Sequence, residues 1–341
     1  MNAKVWAGQV PTVLPKSFNP QVPEVYQIEA TCACNYECPM CQRFAGPRQY
    51  ENTYFSLELA QKMVDRGDLA GSYFVEFQLS GEPTLHPHLK ELIEIVKQTG
   101  VMTGMSTNGS LLHPKAGKLA QRNMDAVALL DTMTVSVDAV TDEGYALYRP
   151  VKNSKKAGTQ GPSFTFTAGE LLEVVDLVLS MPKHPVVDLQ IIELPGWEHE
   201  LEGLLKVCQE RGWVDEVVVR TMPDCSLITR GEVPVSMNTE RELCINPWTS
   251  VTVLSSGIVD SCCFDFHGAN QYGDLNKSTL AEIWAGKAVK DMRAAHMSGN
   301  VPTLCTMCYM RSPVNVHLEF FRDWTVNKGK TVYKAAGREG K

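Results

Sequence analysis

Stretches with the length of strands alternate with stretches of helical spacing between Val25 and Thr221. The strand-like stretches are Val25–Ala30, Tyr73–Leu79, Val101–Ser106, Thr132–Val137, Val186–Ile192 and Glu216–Thr221. The helical stretches are Ser56–Asp68, His88–Gln98, Pro114–Arg122, Ala168–Met181 and Glu198–Arg211. Strands that are joined through helices favour a parallel sheet with right-handed crossovers. The chain is therefore predicted to belong to the α/β class.

The number of strand-like stretches decides between two barrel architectures. A closed barrel of eight strand–helix units needs about 250 residues, whereas six units occupy about 200. This length favours a partial (β/α)6 barrel of the TIM type. In either architecture the loops at the C-terminal ends of the strands carry the chemistry, so the site residues are expected there.

The alternation stops after Cys225. Two strand-like stretches, Pro247–Leu254 and Ile258–Ser261, flank a Ser-Ser-Gly turn and predict a hairpin. A single helix, Ser278–His296 with Ser278 as its N-cap, is predicted to follow the hairpin. The predicted organisation is a lead-in over 1–23, a barrel core over 24–230, a small hairpin-plus-helix domain over 231–310 and a tail over 311–341.

The charge balance and the cysteine count narrow the partners and the compartment. Thirty-two Lys and Arg against 39 Asp and Glu give a net charge of −7 without a basic run, so no nucleic-acid partner is expected. No apolar segment is long enough to span a bilayer, and the N-terminus lacks a signal-peptide core. Eleven cysteines in a chain without an export signal favour the reducing cytoplasm, where clustered cysteines bind metal or take part in catalysis.

Three cysteines follow the first predicted strand in a CxxxCxxC spacing: Cys34, Cys38 and Cys41. A [4Fe–4S] cluster is normally held by four thiolates, so three thiolates leave one iron open for a substrate or a cofactor. Zinc is the alternative because thiolates also suit zinc, and Cys32 is close enough in sequence to serve as a fourth ligand.

The order of motifs along the chain resembles that of the radical S-adenosylmethionine (SAM) enzymes. The cysteine triplet follows the first strand, Ser80–Pro83 resembles the GGEP motif after the second, and Ser106–Gly109 ends the third. Ser80 stands in place of the first Gly of that motif, and Met40 stands where an aromatic residue often precedes the third cysteine. The resemblance implies that SAM is bound by Gly81, Glu82, Pro83, Ser106, Asn108, Ser136, Asp138, Arg149 and Gln190.

The resemblance also implies roles for some of these residues. Glu82 and the backbone of its turn are expected to bind the SAM amino group, with Ser136 and Arg149 directed at the ribose and the carboxylate. Gln190 is expected near the adenine. An external donor such as flavodoxin or ferredoxin reduces the cluster, and cleavage of SAM then yields a 5′-deoxyadenosyl radical that removes a hydrogen atom from a substrate carbon.

A second set of cysteines occupies the predicted small domain: Cys244, Cys262, Cys305 and Cys308. Their spacing resembles the SPASM domain of radical SAM proteins. Because no cysteine follows Cys308, the pattern matches the smaller twitch variant, which holds one auxiliary [4Fe–4S] cluster with four protein ligands. Cys262 is favoured over Cys263 because it fits the Gly-x4-Cys spacing from Gly257. A structural zinc site is the alternative.

A fully ligated auxiliary cluster is suited to electron transfer, and this suggests oxidation of an alcohol carbon to a ketone. The architecture resembles that of aminocyclitol dehydrogenases, so a small polar, sugar-like or aminocyclitol-like substrate is expected. Arg220, Asp224 and Glu29 are the candidates to handle the proton. The alternatives are an epimerase with Cys225 as hydrogen-atom donor, a peptide maturase, and a non-catalytic iron–sulfur or zinc scaffold.

Overall fold

The computed structural model describes residues 22–44, 53–151, 165–224, 244–266, 268–306 and 308. Six parallel strands follow one another in chain order across the sheet, as the alternation predicts. They are β1 (Val25–Ile28), β2 (Phe74–Phe77), β3 (Met102–Thr107), β4 (Thr132–Ser136), β5 (Val186–Glu193) and β6 (Val217–Pro223). The described part of the chain therefore has the partial, open barrel that was expected.

Helices connect most of these strands and cover their outer face. They are α1 (Leu57–Asp65), α2 (Leu89–Lys97), α3 (Lys118–Val127), α4 (Asp142–Tyr148), α5 (Ala168–Leu179) and α6 (Trp197–Glu210). The hydroxyl of Ser56 accepts a hydrogen bond from Leu59 N and caps α1, while Thr167 and Glu170 form a reciprocal capping box on α5. These caps begin both helices where the sequence predicts.

Two helical segments differ from the sequence-based expectation. Pro114–Ala116 is a 3-10 turn that ends at Gly117, whose φ is +60°, so α3 begins only at Lys118. The short helix α4 was not predicted, although the Thr141 hydroxyl accepts a hydrogen bond from Gly144 N and caps it. A helix of two turns carries too few apolar positions to show a period in the sequence.

The C-terminal part of the chain continues the same sheet. After the short helix α7 (Asn246–Thr249), strand β7 (Ser250–Val253) pairs in parallel with β1. Strand β8 (Ile258–Asp260) pairs with β7 in antiparallel orientation, which confirms the hairpin, although the start of its first predicted strand, residues 247–249, is helical. Strand β9 (Gln271–Asp274), which was not predicted, pairs with β8 in antiparallel orientation. The C-terminal region that was predicted as a separate domain is thus hydrogen-bonded directly to the first barrel strand.

The helix predicted over Ser278–His296 is wrong as a single element. The structure has α8 (Leu280–Trp284), α9 (Lys287–Ser298) and the short α10 (Thr303–Thr306). Thr279, and not Ser278, caps α8, because Glu282 lies three residues after Thr279 and completes a capping box with it.

The two faces of the barrel sheet differ in polarity. On the outer face, Val75, Phe77, Val135 and Leu189 are fully buried in one apolar cluster together with helix residues such as Leu92. Because successive strand residues point to opposite faces, the residues between these apolar ones face the barrel interior. No helix in the described part of the chain is both long and apolar enough to cross a membrane.

Candidate active site

Cys34, Cys38 and Cys41 lie in the loop that follows β1, and their sulfur atoms come close together. Burial raises the pKa of Cys34 well above its usual range, and the neighbouring charges of Glu82, Cys38 and Cys41 raise it further. The amide of Cys41 donates a hydrogen bond to the carbonyl of Cys38 at 3.0 Å, which turns the chain between the second and third cysteines. The loop therefore presents three thiols to one place.

The cluster loop (Cys34–Cys41) is fastened to the rest of the barrel on two sides. Asn35 donates to Ser110 Oγ at 2.9 Å and accepts from Asn108 Nδ2 at 3.0 Å. The hydroxyls of Tyr36 and Tyr145 are hydrogen-bonded at 3.2 Å inside the core. These contacts fix the loop backbone, and they place the predicted SAM residue Asn108 directly beside the cysteines.

Gly81 is required by a close approach of two backbone segments. A Cβ atom at this position would lie 1.9 Å from the carbonyl oxygen of Thr31 and 2.6 Å from that of Ala33. The next amide, Glu82 N, donates to the Ala33 carbonyl at 2.7 Å. The turn with Gly81, Glu82 and Pro83 is therefore packed directly onto the chain that enters the cluster loop.

The carboxylate of Glu82 is buried and ties its turn to the end of β3. It accepts hydrogen bonds from Thr107 Oγ1 at 2.7 Å, from Asn108 N at 2.8 Å and from Thr84 Oγ1 at 2.6 Å. Burial raises its pKa, and these hydrogen bonds act in the opposite direction. Its contact with the SAM amino group stays a prediction.

Asp138 holds Arg149 next to the cysteines. Its backbone has a φ of +56°, unusual for a residue other than glycine, and its Oδ1 accepts from Ile192 N at 2.8 Å. The other oxygen forms an ion pair with Arg149, whose Nη1 lies 4.0 Å from Cys38 Sγ. Although burial opposes the charge of Arg149, the charges of Asp138 and Cys38 outweigh burial and raise its pKa above the usual range.

The remaining predicted SAM residues lie on neighbouring strands. Ser136 at the end of β4 is paired in register with Gln190 on β5, and both are half-buried. Ser106 on β3 also faces the barrel interior, where it donates to Glu76 Oε1 and Gln78 Oε1, both at 3.1 Å. The structure thus brings the strand-end residues to the same side of the barrel as the cluster loop.

This donor set fits an iron–sulfur cluster that has one open iron. Three thiols converge, and although burial raises the pKa of Cys38 and of Cys41, the charge of the neighbouring Arg149 acts in the opposite direction on both. Cys34, Cys38 and Cys41 would hold the cluster. Among the described residues, no three His, Cys, Asp or Glu side chains are arranged to hold a single metal ion.

The barrel interior contains a continuous belt of polar side chains, called here the polar ring. Each of the seven parallel strands contributes one member: Gln27, Glu76, Ser106, Thr134, Asp188, Arg220 and Thr252. TIM-type barrels usually fill this space with branched apolar residues, so a polar interior indicates a binding site. Sequence reasoning missed Glu76 and Asp188, for which the signal is a lone acid inside an otherwise apolar strand.

Glu76 is the hub of one half of the ring. It accepts hydrogen bonds from Gln78 Nε2 at 2.8 Å and from Ser106 Oγ at 3.1 Å, and it is also hydrogen-bonded to Gln27. Burial raises its pKa, the charge of Arg220 lowers it, and that of Asp188 raises it again. These influences show that the three charged members are close neighbours.

Asp188 and Arg220 form the other half. Their side chains make an ion pair between β5 and β6, and Thr134 Oγ1 donates to Asp188 Oδ2 at 3.2 Å. Burial raises the pKa of Asp188, although Arg220 acts in the opposite direction. Arg220, predicted as a proton-handling residue at a strand end, is thus paired within the ring.

The other proton-handling candidates have different surroundings. Glu29 is fully buried, and its Oε2 accepts hydrogen bonds from Ser255 N at 3.0 Å and Ser255 Oγ at 2.7 Å in the hairpin turn. Asp224 follows the end of β6 and is half-buried. Cys225 lies outside the described residues.

The second set of cysteines surrounds Phe264 and Tyr272. Cys308 packs on Phe264 together with Cys262 and Cys263, and the charges of Cys262 and Cys244 both act on the Tyr272 hydroxyl. Cys305 lies in α10, three residues before Cys308. The structure thus places Cys244, Cys262, Cys305 and Cys308 in one region.

The adjacent thiols of Cys262 and Cys263 are in different environments. Cys262 Sγ accepts hydrogen bonds from Phe264 N at 3.4 Å and Asn246 Nδ2 at 3.7 Å. The pKa of Cys262 is lowered, mainly by a hydrogen bond from Cys263. The hydrogen bonds from Phe264 N and Asn246 lower it further, and together they outweigh the effect of burial. Cys263 instead interacts with Gln27 and Glu76 of the polar ring. A thiolate that accepts N–H donors suits a cluster ligand, so this donor set also fits the predicted auxiliary cluster.

Comparison with known proteins identifies the family. Residues 28–160 match the model of the radical SAM superfamily, and residues 244–309 match the SPASM iron–sulfur cluster-binding domain. The chain is a radical SAM enzyme with a SPASM domain. Its cofactors are therefore SAM, the [4Fe–4S] cluster that binds it, and iron–sulfur chemistry in the C-terminal region.

Two relatives agree with this assignment. The radical SAM enzyme is 25% identical to the tungsten-containing aldehyde ferredoxin oxidoreductase cofactor-modifying protein of Pyrococcus furiosus, over 83% of this chain and 86% of the relative. It is 32% identical to the mycofactocin maturase MftC of Mycobacterium ulcerans, over 38% and 36% of the two chains.

Two solved structures share the fold. Streptococcus suis SuiB bound to its precursor peptide SuiA has a TM-score of 0.59 at 14% identity, covering 85% of this chain and 72% of SuiB. Native anSMEcpe with bound AdoMet (SAM) has a TM-score of 0.56 at 14% identity, covering 90% and 98%.

Proposed function

We propose that this radical SAM enzyme oxidises an alcohol carbon of a small polar molecule, such as a sugar or an aminocyclitol, to a ketone. The observation that carries the proposal is the polar ring inside the barrel, which includes Ser106 of the predicted SAM set and interacts with Cys263 of the second cysteine set. Seven inward side chains that offer hydrogen-bond donors and acceptors suit a hydroxylated substrate better than an apolar one. The Pyrococcus furiosus relative, named as a cofactor-modifying protein, supports a small-molecule substrate.

The oxidation balances with the groups that the family implies. When bound, SAM and its cluster supply a radical that takes one hydrogen atom from the substrate carbon. The alcohol must then lose one proton and one electron to become a ketone. We assign the electron to an auxiliary [4Fe–4S] cluster held by Cys244, Cys262, Cys305 and Cys308. Cys263 joins this site to the ring, because it follows Cys262 in the chain and contacts Gln27.

Asp224 is the residue we assign as proton acceptor. The carboxylate of Glu29 already accepts two hydrogen bonds from Ser255, and the guanidinium of Arg220, which has only hydrogen-bond donors, is paired with Asp188. Asp224 is a half-buried carboxylate at the C-terminal end of β6, where barrel loops carry the chemistry.

The enzyme needs a one-electron donor for each turnover that consumes SAM. A flavodoxin or a ferredoxin in the cytoplasm is the proposed donor, because these carriers deliver single electrons and because free thiols persist in a reducing compartment. All ten cysteines in the described ranges are unbridged.

The proposal is tested with anaerobically reconstituted enzyme. Iron and sulfide quantitation should give about eight irons per chain, falling to about four in Cys262→Ser and staying near eight in the neighbouring control Cys263→Ser. With a substrate, the product should be a ketone without deuterium from solvent, and Asp224→Asn should slow its formation while SAM cleavage continues. About four irons in the wild-type enzyme would remove the electron acceptor and with it the oxidation.

Peptide modification is the second candidate function. The mycofactocin maturase relative favours it, and SuiB shares the fold while bound to a precursor peptide. A peptide substrate would be revealed by a mass change on a peptide, with no turnover of any free polyol. The epimerase alternative instead predicts solvent deuterium in the product, abolished by Cys225→Ala.

A further inference from the structure

The polar ring carries an excess of negative charge. Two of its members, Glu76 and Asp188, are carboxylates, and Arg220 is its one cation. Arg220 is committed to Asp188 through their ion pair and also donates to Thr134 Oγ1 at 3.4 Å. Because the surroundings of a barrel interior screen charge poorly, an uncompensated carboxylate there attracts a cation.

One oxygen of Asp188 has no hydrogen-bond donor. Arg220 and Thr134 both bind Oδ2, whereas Oδ1 is enclosed and accepts a hydrogen bond from none of the described residues. The side chain of Asp188 is only 6% exposed, so solvent does not compensate this oxygen. A buried carboxylate oxygen without a donor is costly, and its presence calls for a ligand that brings one.

The chemistry of the missing donor follows from the ring. The missing group must be positively charged to balance the carboxylates of Glu76 and Asp188. It must also donate hydrogen bonds, and it should have no lone pair that would itself require a donor. An ammonium group has one positive charge and three donors. The side chains of Ser106, Thr134 and Gln27, which are hydrogen-bonded to Glu76 or Asp188, belong to the same ring and can form further hydrogen bonds with hydroxyl groups.

We infer that the polar ring binds the ammonium group of an amine-bearing, hydroxylated substrate, with Glu76 and Asp188 on either side of the nitrogen. This inference rests on the proposed function and narrows its substrate class to amino alcohols. Neutral sugars lack the charge that the ring requires, and phosphorylated sugars are repelled by it.

Binding of the smallest suitable probe tests the inference without turnover. Ethanolamine and ethylene glycol differ in one group, ammonium against hydroxyl, and are titrated into reconstituted enzyme with SAM under anaerobic conditions. Saturation-transfer NMR should give a dissociation constant at least tenfold lower for ethanolamine. Asp188→Asn and, separately, Glu76→Gln should each weaken ethanolamine binding on the order of tenfold or more, because each removes one of two buried charges.

Asp176→Asn is the matched control. Asp176 also pairs with an arginine, Arg211, but on the exposed outer surface, so ethanolamine binding should be unchanged in this variant. Equal affinities for ethanolamine and ethylene glycol, or absence of ethanolamine binding, would overturn the inference. Unchanged affinity in both ring variants would overturn it as well.

A third probe separates the two sources of an ammonium group. Nα-acetyl-lysine amide presents the amine as a peptide side chain does, and ethanolamine presents it as a small amino alcohol does. Preference for the lysine probe supports the ammonium site but overturns the small-molecule substrate of the proposed function. The proposed function fails on its own if ethanolamine binds and the iron content is still about four.

Discussion

Replacing Gly81 by alanine should separate the turn that bears Glu82 from the cluster loop. The added Cβ would lie 1.9 Å from Thr31 O and 2.6 Å from Ala33 O, and both are backbone atoms that cannot rotate away. Ordinary contact begins near 3.4 Å, so the turn must retreat by about 1.5 Å. That movement also breaks the 2.7 Å hydrogen bond from Glu82 N to Ala33 O.

The magnitude of the effect follows from these two losses. Overpacking costs about 1–3 kcal/mol and a lost hydrogen bond costs about 1 kcal/mol, so Gly81→Ala should lower the free energy of unfolding by roughly 3 kcal/mol. Since a misplacement of about 1 Å at a reacting site slows chemistry on the order of 100-fold, reductive SAM cleavage should fall by about that factor.

The assay measures Tm by calorimetry and SAM cleavage by chromatography after reduction with dithionite, on protein with verified iron content. Gly169→Ala is the matched control, because its Cβ would meet nothing closer than 3.7 Å within α5. Wild-type Tm and cleavage rate in Gly81→Ala would refute the argument that this glycine is needed for close approach.

Two further perturbations test other parts of the site. His86 Nε2 is hydrogen-bonded to Phe55 O at 3.0 Å while Nδ1 accepts from His88 N at 3.1 Å, so the ring is held neutral, and burial lowers its pKa. Its contribution to stability is therefore complete above the unfolded pKa of about 6.5 and is lost as pH falls below it, by up to about 1.4 kcal/mol per pH unit. Tm measured across this range should show a weaker acid slope in His86→Gln than in the exposed-site control His199→Gln, and equal slopes would contradict the assignment. Asn tolerates the positive φ at position 138, but Asp138→Asn weakens the ion pair with Arg149, so the KM for SAM should rise roughly tenfold or more. The control Asp131→Asn, at the opposite end of β4, should leave the KM for SAM unchanged. A SAM KM that is unaltered in Asp138→Asn would show that Arg149 needs no such support.

Local signals in the sequence were sufficient for most elements of the barrel. Ser56 and Thr167 begin their helices as predicted because each side chain caps a backbone amide a few residues away. The N-cap of α8, which is Thr279 and not Ser278, could also have been predicted from the sequence. Glu282 stands three residues after Thr279, as a capping box requires, and four residues after Ser278. Predictions of this kind depend on interactions within one turn of chain.

The polar ring depends on contacts that no local signal reports. Glu76 and Asp188 are on strands β2 and β5, and they meet only because the sheet curves so that both face inward. Both strands have mostly apolar sequences with one acidic residue each. An acidic residue in such a strand can equally well face solvent, so the sequence does not show that it faces the barrel interior. The hydrogen bonds from Ser255 to Glu29 span 226 residues and follow from the pairing of β7 with β1, which sequence spacing did not indicate.

That pairing has a mechanical consequence. Since β7 extends the sheet alongside β1, the strand that leads into the cluster loop and the strand that leads into the hairpin turn share one row of hydrogen bonds. The loops that carry the two cysteine sets are thereby anchored to neighbouring, hydrogen-bonded strands of one sheet, so the pairing of β7 with β1 determines how the two sets are placed relative to each other.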